Sequence, residues 1–88
     1  MGEHILQGRE LNQTVTNLRA HVQWKIDSLP KLAKNFNLGT KAISQLETHL
    51  RDELTYLEGL PDGVRLRDVI ESHFSRGAQT RKMVTGKE

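Results

Sequence analysis

The chain contains no cysteine. That excludes a disulfide framework, a thiol nucleophile and a cysteine-based zinc site. No apolar run approaches the length needed to span a bilayer, so no membrane partner is expected. The N-terminus lacks the basic-then-apolar pattern of a secretion signal. Together these absences predict a cytoplasmic protein, and they leave the sequon Asn12-Gln13-Thr14 without weight. There is no internal repeat, no low-complexity segment and no strand-like alternation of useful length. The fold is therefore expected to be all-α.

Recognisable catalytic chemistry is missing too. No Ser-His-Asp arrangement and no glycine-rich phosphate loop can be read. The histidines are His4, His21, His49 and His73, and no two have the spacing of a helical zinc pair. His49 shares a helix face with Asp52 and Glu53; the set has donors for weak metal binding but reads first as a solvated surface cluster. Adjacent carboxylates such as Asp52 and Glu53 diverge on a helix rather than meet on one substrate. A chain of 88 residues also leaves little room for a deep pocket. The expectation is no enzyme, no cofactor and no metal.

What remains is a small, polar-surfaced domain with a modest core. Its net charge is only +2, so the distribution of charge says more than the sum. The segment 30–46 carries Lys31, Lys34 and Lys41 and no acid. The segment 75–87 carries Arg76, Arg81, Lys82 and Lys87 and no acid. Between them lie Glu47, Asp52, Glu53, Glu58, Asp62, Asp68 and Glu71. Two basic zones on a nearly neutral chain can meet phosphates.

Apolar periodicity predicts four helices. Residues 1–8 show no pattern and are expected to be a flexible N-terminus. Leu11, Val15, Leu18, Val22 and Ile26 recur in steps of three and four, which predicts a first helix over 9–27. Trp24 is expected to widen that stripe as a core anchor. Ser28 is a good N-cap, and Pro30 is tolerated early in a second helix over 31–35. Asn37 can adopt the left-handed conformation that stops it. Thr40 is a plausible N-cap for a third helix with the stripe Ile43, Leu46, Leu50, Leu54 and Leu57, reaching about Glu58. Within it, Glu47 and Arg51 form a mild i,i+4 pair.

Gly59-Leu60-Pro61-Asp62-Gly63 is a break. A fourth helix over 64–74 offers Val64, Val69, Ile70 and Phe74 to the core. Gly77 is expected to end it and to leave 77–88 as a flexible basic tail. A single helical domain over 9–76 follows. The surplus stripe of the third helix and the fourth helix are expected to supply the core and a homodimer contact.

The run Leu32-Ala33-Lys34-Asn35-Phe36-Asn37-Leu38-Gly39-Thr40-Lys41-Ala42-Ile43-Ser44-Gln45-Leu46-Glu47 resembles the helix-turn-helix of the lambda-repressor and Cro-like family. The family shows Leu-Ala, an apolar residue three on, a turn, a second apolar residue, then Ala-Ile-Ser and an acid. The resemblance, within residues 30–49, implies a sequence-specific transcriptional regulator of phage, plasmid or bacterial type. It implies double-stranded DNA as partner, read in the major groove by the helix starting near Thr40. Thr40, Lys41, Ser44 and Gln45 match the base-facing positions, with Gln45 suited to adenine and Lys41 to guanine or phosphate. Lys31 and Lys34 would contact the backbone, joined by Arg76, Arg81 and Lys82. The other reading is a helical module that binds another protein and inhibits or adapts a larger machine.

Overall fold

A computed structural model describes residues 3–86. Four helices carry the fold: α1 (Gly8–Asp27), α2 (Leu29–Phe36), α3 (Thr40–Glu58) and α4 (Leu66–Thr85). The all-α expectation holds, with one small addition. Two short strands, β1 (Ile5–Leu6) and β2 (Val64–Arg65), pair antiparallel with Ile5 opposite Arg65 and Leu6 opposite Val64.

The three long helices form an elongated bundle. Arg19 meets Glu58, and Ile26 lies beside Ile43, so α1 and α3 run antiparallel. Glu53 meets His73, and His49 meets the Arg76 carbonyl, so α3 and α4 are antiparallel as well. The C-terminal ends of α1 and α4 and the start of α3 therefore share one end of the molecule, with α2 across it. The β pair and the start of α4 close the other end.

The stripes of the sequence build the core. Val22, Leu29, Leu46, Leu50 and Leu57 are buried together, with Val15, Leu18, Ile26 and Leu54 packed against them. A second cluster of Leu6, Leu11 and Val69 sits under the β pair. Leu50 and Leu57 are spent inside one copy, so they are not free to form the dimer contact expected of them.

The connection between α2 and α3 follows the sequence closely. Asn37 takes φ 57° and ψ 44°, the left-handed region its short polar side chain tolerates. The Asn37 and Leu38 amides both donate to the Ala33 carbonyl, which closes α2. Gly39, not Thr40, holds the N-cap position of α3, and no side chain caps it. Ser28 stands at the start of α2 but makes no side-chain cap.

Residues 3–8 and 77–86 are more regular than composition suggests, while residues 1 and 2 of the expected flexible N-terminus lie outside the described residues. Leu6 is fully buried, because β1 pairs with β2 and the Leu66 amide donates to the His4 carbonyl. Gly77 does not stop α4, which runs on to Thr85 with Gly77 and Thr80 buried. The buried face of α4 passes through Val69, His73, Gly77 and Thr80, and small or polar residues do not register as an apolar stripe. Residues 87 and 88, at the end of the expected tail, lie outside the described residues.

Two aromatic side chains expected in the core are on the surface. Trp24 is 64% exposed. It stands two residues from both Val22 and Ile26, which turns it roughly 160–200° away from their stripe. Phe74 is 69% exposed, one residue out of phase with buried-face His73. No helix among the described residues is long and apolar enough to cross a membrane.

Candidate nucleic-acid interface

The cations of this protein fall into two classes. Arg19, Arg51, Arg65 and Arg67 are ion-paired, with Glu58, Glu47, Glu3 and Glu71 respectively. Arg76 lies 4.7 Å over the Tyr56 ring. Lys25, Lys31, Lys34, Lys41, Arg81 and Lys82 have no ion-pair partner among the described residues, and all of them lie at the end built by α1, α2, α3 and α4 together. Of the unpaired cations among the described residues, only Arg9 sits toward the other end.

Topology is what gathers them. Lys25 comes from the last turns of α1, Lys31 and Lys34 from α2, Lys41 from the first turn of α3, and Arg81 and Lys82 from the end of α4. Lys25 Nζ and Arg81 Nη1 both approach the space beside Gly77, at 3.9 and 3.8 Å from where a Cβ would stand. Among the described residues two acids share this end. Asp27 accepts a hydrogen bond from Gln23, and Glu47 is neutralised by Arg51 at 2.7 Å.

The start of α3 adds backbone donors. It has no side-chain cap and no acid in its first turn. Its leading amides and the positive end of its dipole therefore favour an anion. Thr40, Lys41, Ser44 and Gln45 are exposed there. Ser44 and Gln45 also line an open groove of about 410 Å³ with Thr48, His49, Asp52, Gln79 and Met83, so α4 flanks the exposed face of α3.

Of the residues singled out in the sequence, Lys31, Lys34, Thr40, Lys41, Ser44, Gln45, Arg81 and Lys82 are brought to one end. Arg76 is not. It is half-buried on the mid-bundle face, held by Tyr56, and its carbonyl accepts from Thr80 and bonds the His49 ring. Lys25 carries no signal in the sequence, because it stands alone in an apolar-periodic helix. Only its level with Gly77 across the bundle reveals its company.

A second polar constellation lies between α1, α3 and α4. Glu53 is fully buried, and its Oε2 accepts from His73 Nδ1 at 2.8 Å. Its Oε1 has no partner. His73 Nε2 lies 3.3 Å from His21 Nδ1, and His21 stacks on Trp24 with the rings 5° from parallel. Partial burial holds the His21 pKa below the ordinary value, reinforced by the Lys25 ammonium and by His73; Glu53 pulls the other way. Glu53 is thus not part of a solvated cluster with His49 and Asp52. It falls three residues after Leu50 and four before Leu57, the phase of the core, and that spacing was the available signal. No group of three or more histidine or acidic side chains among the described residues is disposed to hold a metal.

No family model, curated protein or solved structure matches this chain.

Proposed function

We propose that this protein binds double-stranded DNA with the end of the bundle formed by α2, the start of α3 and the close of α4. The observation that carries this reading is the segregation of charge. Arginines elsewhere are mostly matched with acids, while lysines and Arg81 at this end are left unmatched by protein. Unpaired cations held together repel each other, and a phosphate backbone relieves that repulsion while releasing its counterions. The uncapped start of α3 supplies amides for one more phosphate.

In this reading Lys31, Lys34, Lys82 and Arg81 position the duplex through its backbone. Thr40, Lys41, Ser44 and Gln45 face the major groove, Gln45 toward adenine and Lys41 toward guanine or a phosphate. Sequence-specific regulation of transcription, by a homodimer on a palindromic site, is the biological form this takes.

The test compares two charge-reversal pairs of equal net charge by fluorescence anisotropy on a random-sequence duplex. Lys34→Glu/Lys41→Glu should weaken binding at least tenfold. Arg9→Glu/Arg67→Glu, at the other end, should change it little. Equal losses from both pairs would show that binding is not located at this end. Absence of binding at low salt would remove the reading altogether.

One observation favours a protein partner instead. A groove of about 330 Å³ between α2 and α4 is lined by Leu29, Leu32, Phe36, Leu46, Leu50 and Val84, and Phe36 is half-exposed beside it. An amphipathic helix would fit its shape. Phe36→Gln, which leaves the charge unchanged, should abolish binding of such a partner and leave DNA affinity within about twofold.

A further inference from the structure

We propose that His21 and His73 form a two-histidine site for a divalent transition-metal ion, with Glu53 as the carboxylate behind it. His21 Nδ1 and His73 Nε2 face each other at 3.3 Å across α1 and α4. Two imidazole nitrogens, each about 2.1 Å from a shared ion, subtend an angle of roughly 104° at that separation, close to tetrahedral. The ion would sit about 1.3 Å to one side of the line between the two nitrogens, so both rings turn slightly to bring their lone pairs onto it.

The tautomers fit. His73 Nδ1 donates to Glu53 at 2.8 Å, which leaves the lone pair of His73 on Nε2, aimed at His21. A carboxylate behind a ligating histidine fixes the ring and raises its basicity. Glu53 is fully buried, and its second oxygen has no partner among the described residues, so its charge is available to compensate a cation nearby. His21 donates a proton from Nδ1 in the hydrogen-bonded form. Moving that proton to Nε2 frees the second lone pair without any change in net charge.

Imidazole donors select zinc, cobalt, nickel or copper over magnesium or calcium. Two protein donors leave the remaining positions to water or to a second copy of the chain. The Lys25 ammonium one turn along α1 opposes a cation here, so the site is a weak one. Topology makes the pair: 52 residues separate the two histidines in sequence.

Trp24, the only tryptophan, supplies the readout, since its ring stacks with His21 at 6.4 Å between centroids. The experiment titrates the full chain with Co²⁺ and follows Trp24 fluorescence and the visible ligand-field bands. The expected result is saturable quenching, bands of a tetrahedral or five-coordinate ion, and competition by Zn²⁺. His21→Ala, on an exposed position, should lower the affinity at least tenfold. Glu53→Gln should lower it about tenfold while keeping the hydrogen bond to His73. His4→Ala, at the opposite end, should leave the titration unchanged. Non-saturable quenching, or a titration that survives His21→Ala or is lost in His4→Ala, would overturn the assignment.

Discussion

His73 Nδ1 lies 2.8 Å from Oε2 of Glu53, a carboxylate with no exposed surface in the middle of α3. A buried carboxylate tolerates its position only through such a partner. His73→Ala should therefore cost about 3–5 kcal/mol, because it strands the Glu53 charge. Glu53→Gln keeps an acceptor and should cost about 1 kcal/mol. Urea denaturation of both variants checks this. A His73→Ala cost no larger than that of Glu53→Gln would mean that the pair does not hold the helices.

His21 gives a pH dependence with a definite sign. Its folded pKa lies below the ordinary value of 6.5, so folding favours its neutral form. Its contribution is fully present above that ordinary value and is lost as pH falls through the lowered one. Between about pH 7 and pH 5, wild type should lose stability relative to His21→Gln, measured with a chelator present. A difference that stays flat, or that grows in favour of wild type on acidification, would show the shift to be absent or opposite.

Gly77 is a helix-interior glycine with room for a methyl group. A Cβ there meets only Arg81 Nη1 at 3.8 Å and Lys25 Nζ at 3.9 Å, ordinary contacts with mobile side chains. Gly77→Ala should stabilise the protein by about 0.5–1 kcal/mol through the lost freedom of the unfolded chain. Thermal unfolding would register it. A destabilised Gly77→Ala would mean that α4 packs more closely than it stands here.

Trp24 separates surface from core. At 64% exposure, Trp24→Ser should change stability by no more than about 0.5 kcal/mol. Leu50→Ala, at a fully buried position, should cost about 2–5 kcal/mol. A Trp24→Ser cost in the range of Leu50→Ala would place the indole in the core after all.

The helices were legible where hydrophobic period alone decided them. The stripes through Val22 and Leu50 placed α1 and α3, and Asn37 marked the turn between α2 and α3 by its conformational tolerance. What the period does not carry is a core face made of polar or small residues. Glu53, Gly77 and Thr80 are buried and His73 is half-buried, in phase with leucines and valines, yet each reads as surface or as a breaker. That is why α4 runs longer than its apolar residues suggest and why the histidine pair was invisible. The basic zones were legible as runs. Their convergence, and the inclusion of Lys25, came only from helix direction.

The slope of log affinity for a duplex against log salt, measured for wild type and Lys41→Glu, reports how many phosphates this end of the bundle meets. If the unpaired cations each neutralise one phosphate, wild type should give a slope of about −5, and Lys41→Glu should reduce its magnitude by at least about one. Binding with no salt dependence, or a slope that Lys41→Glu leaves unchanged, would mean that these cations do not meet the phosphate backbone.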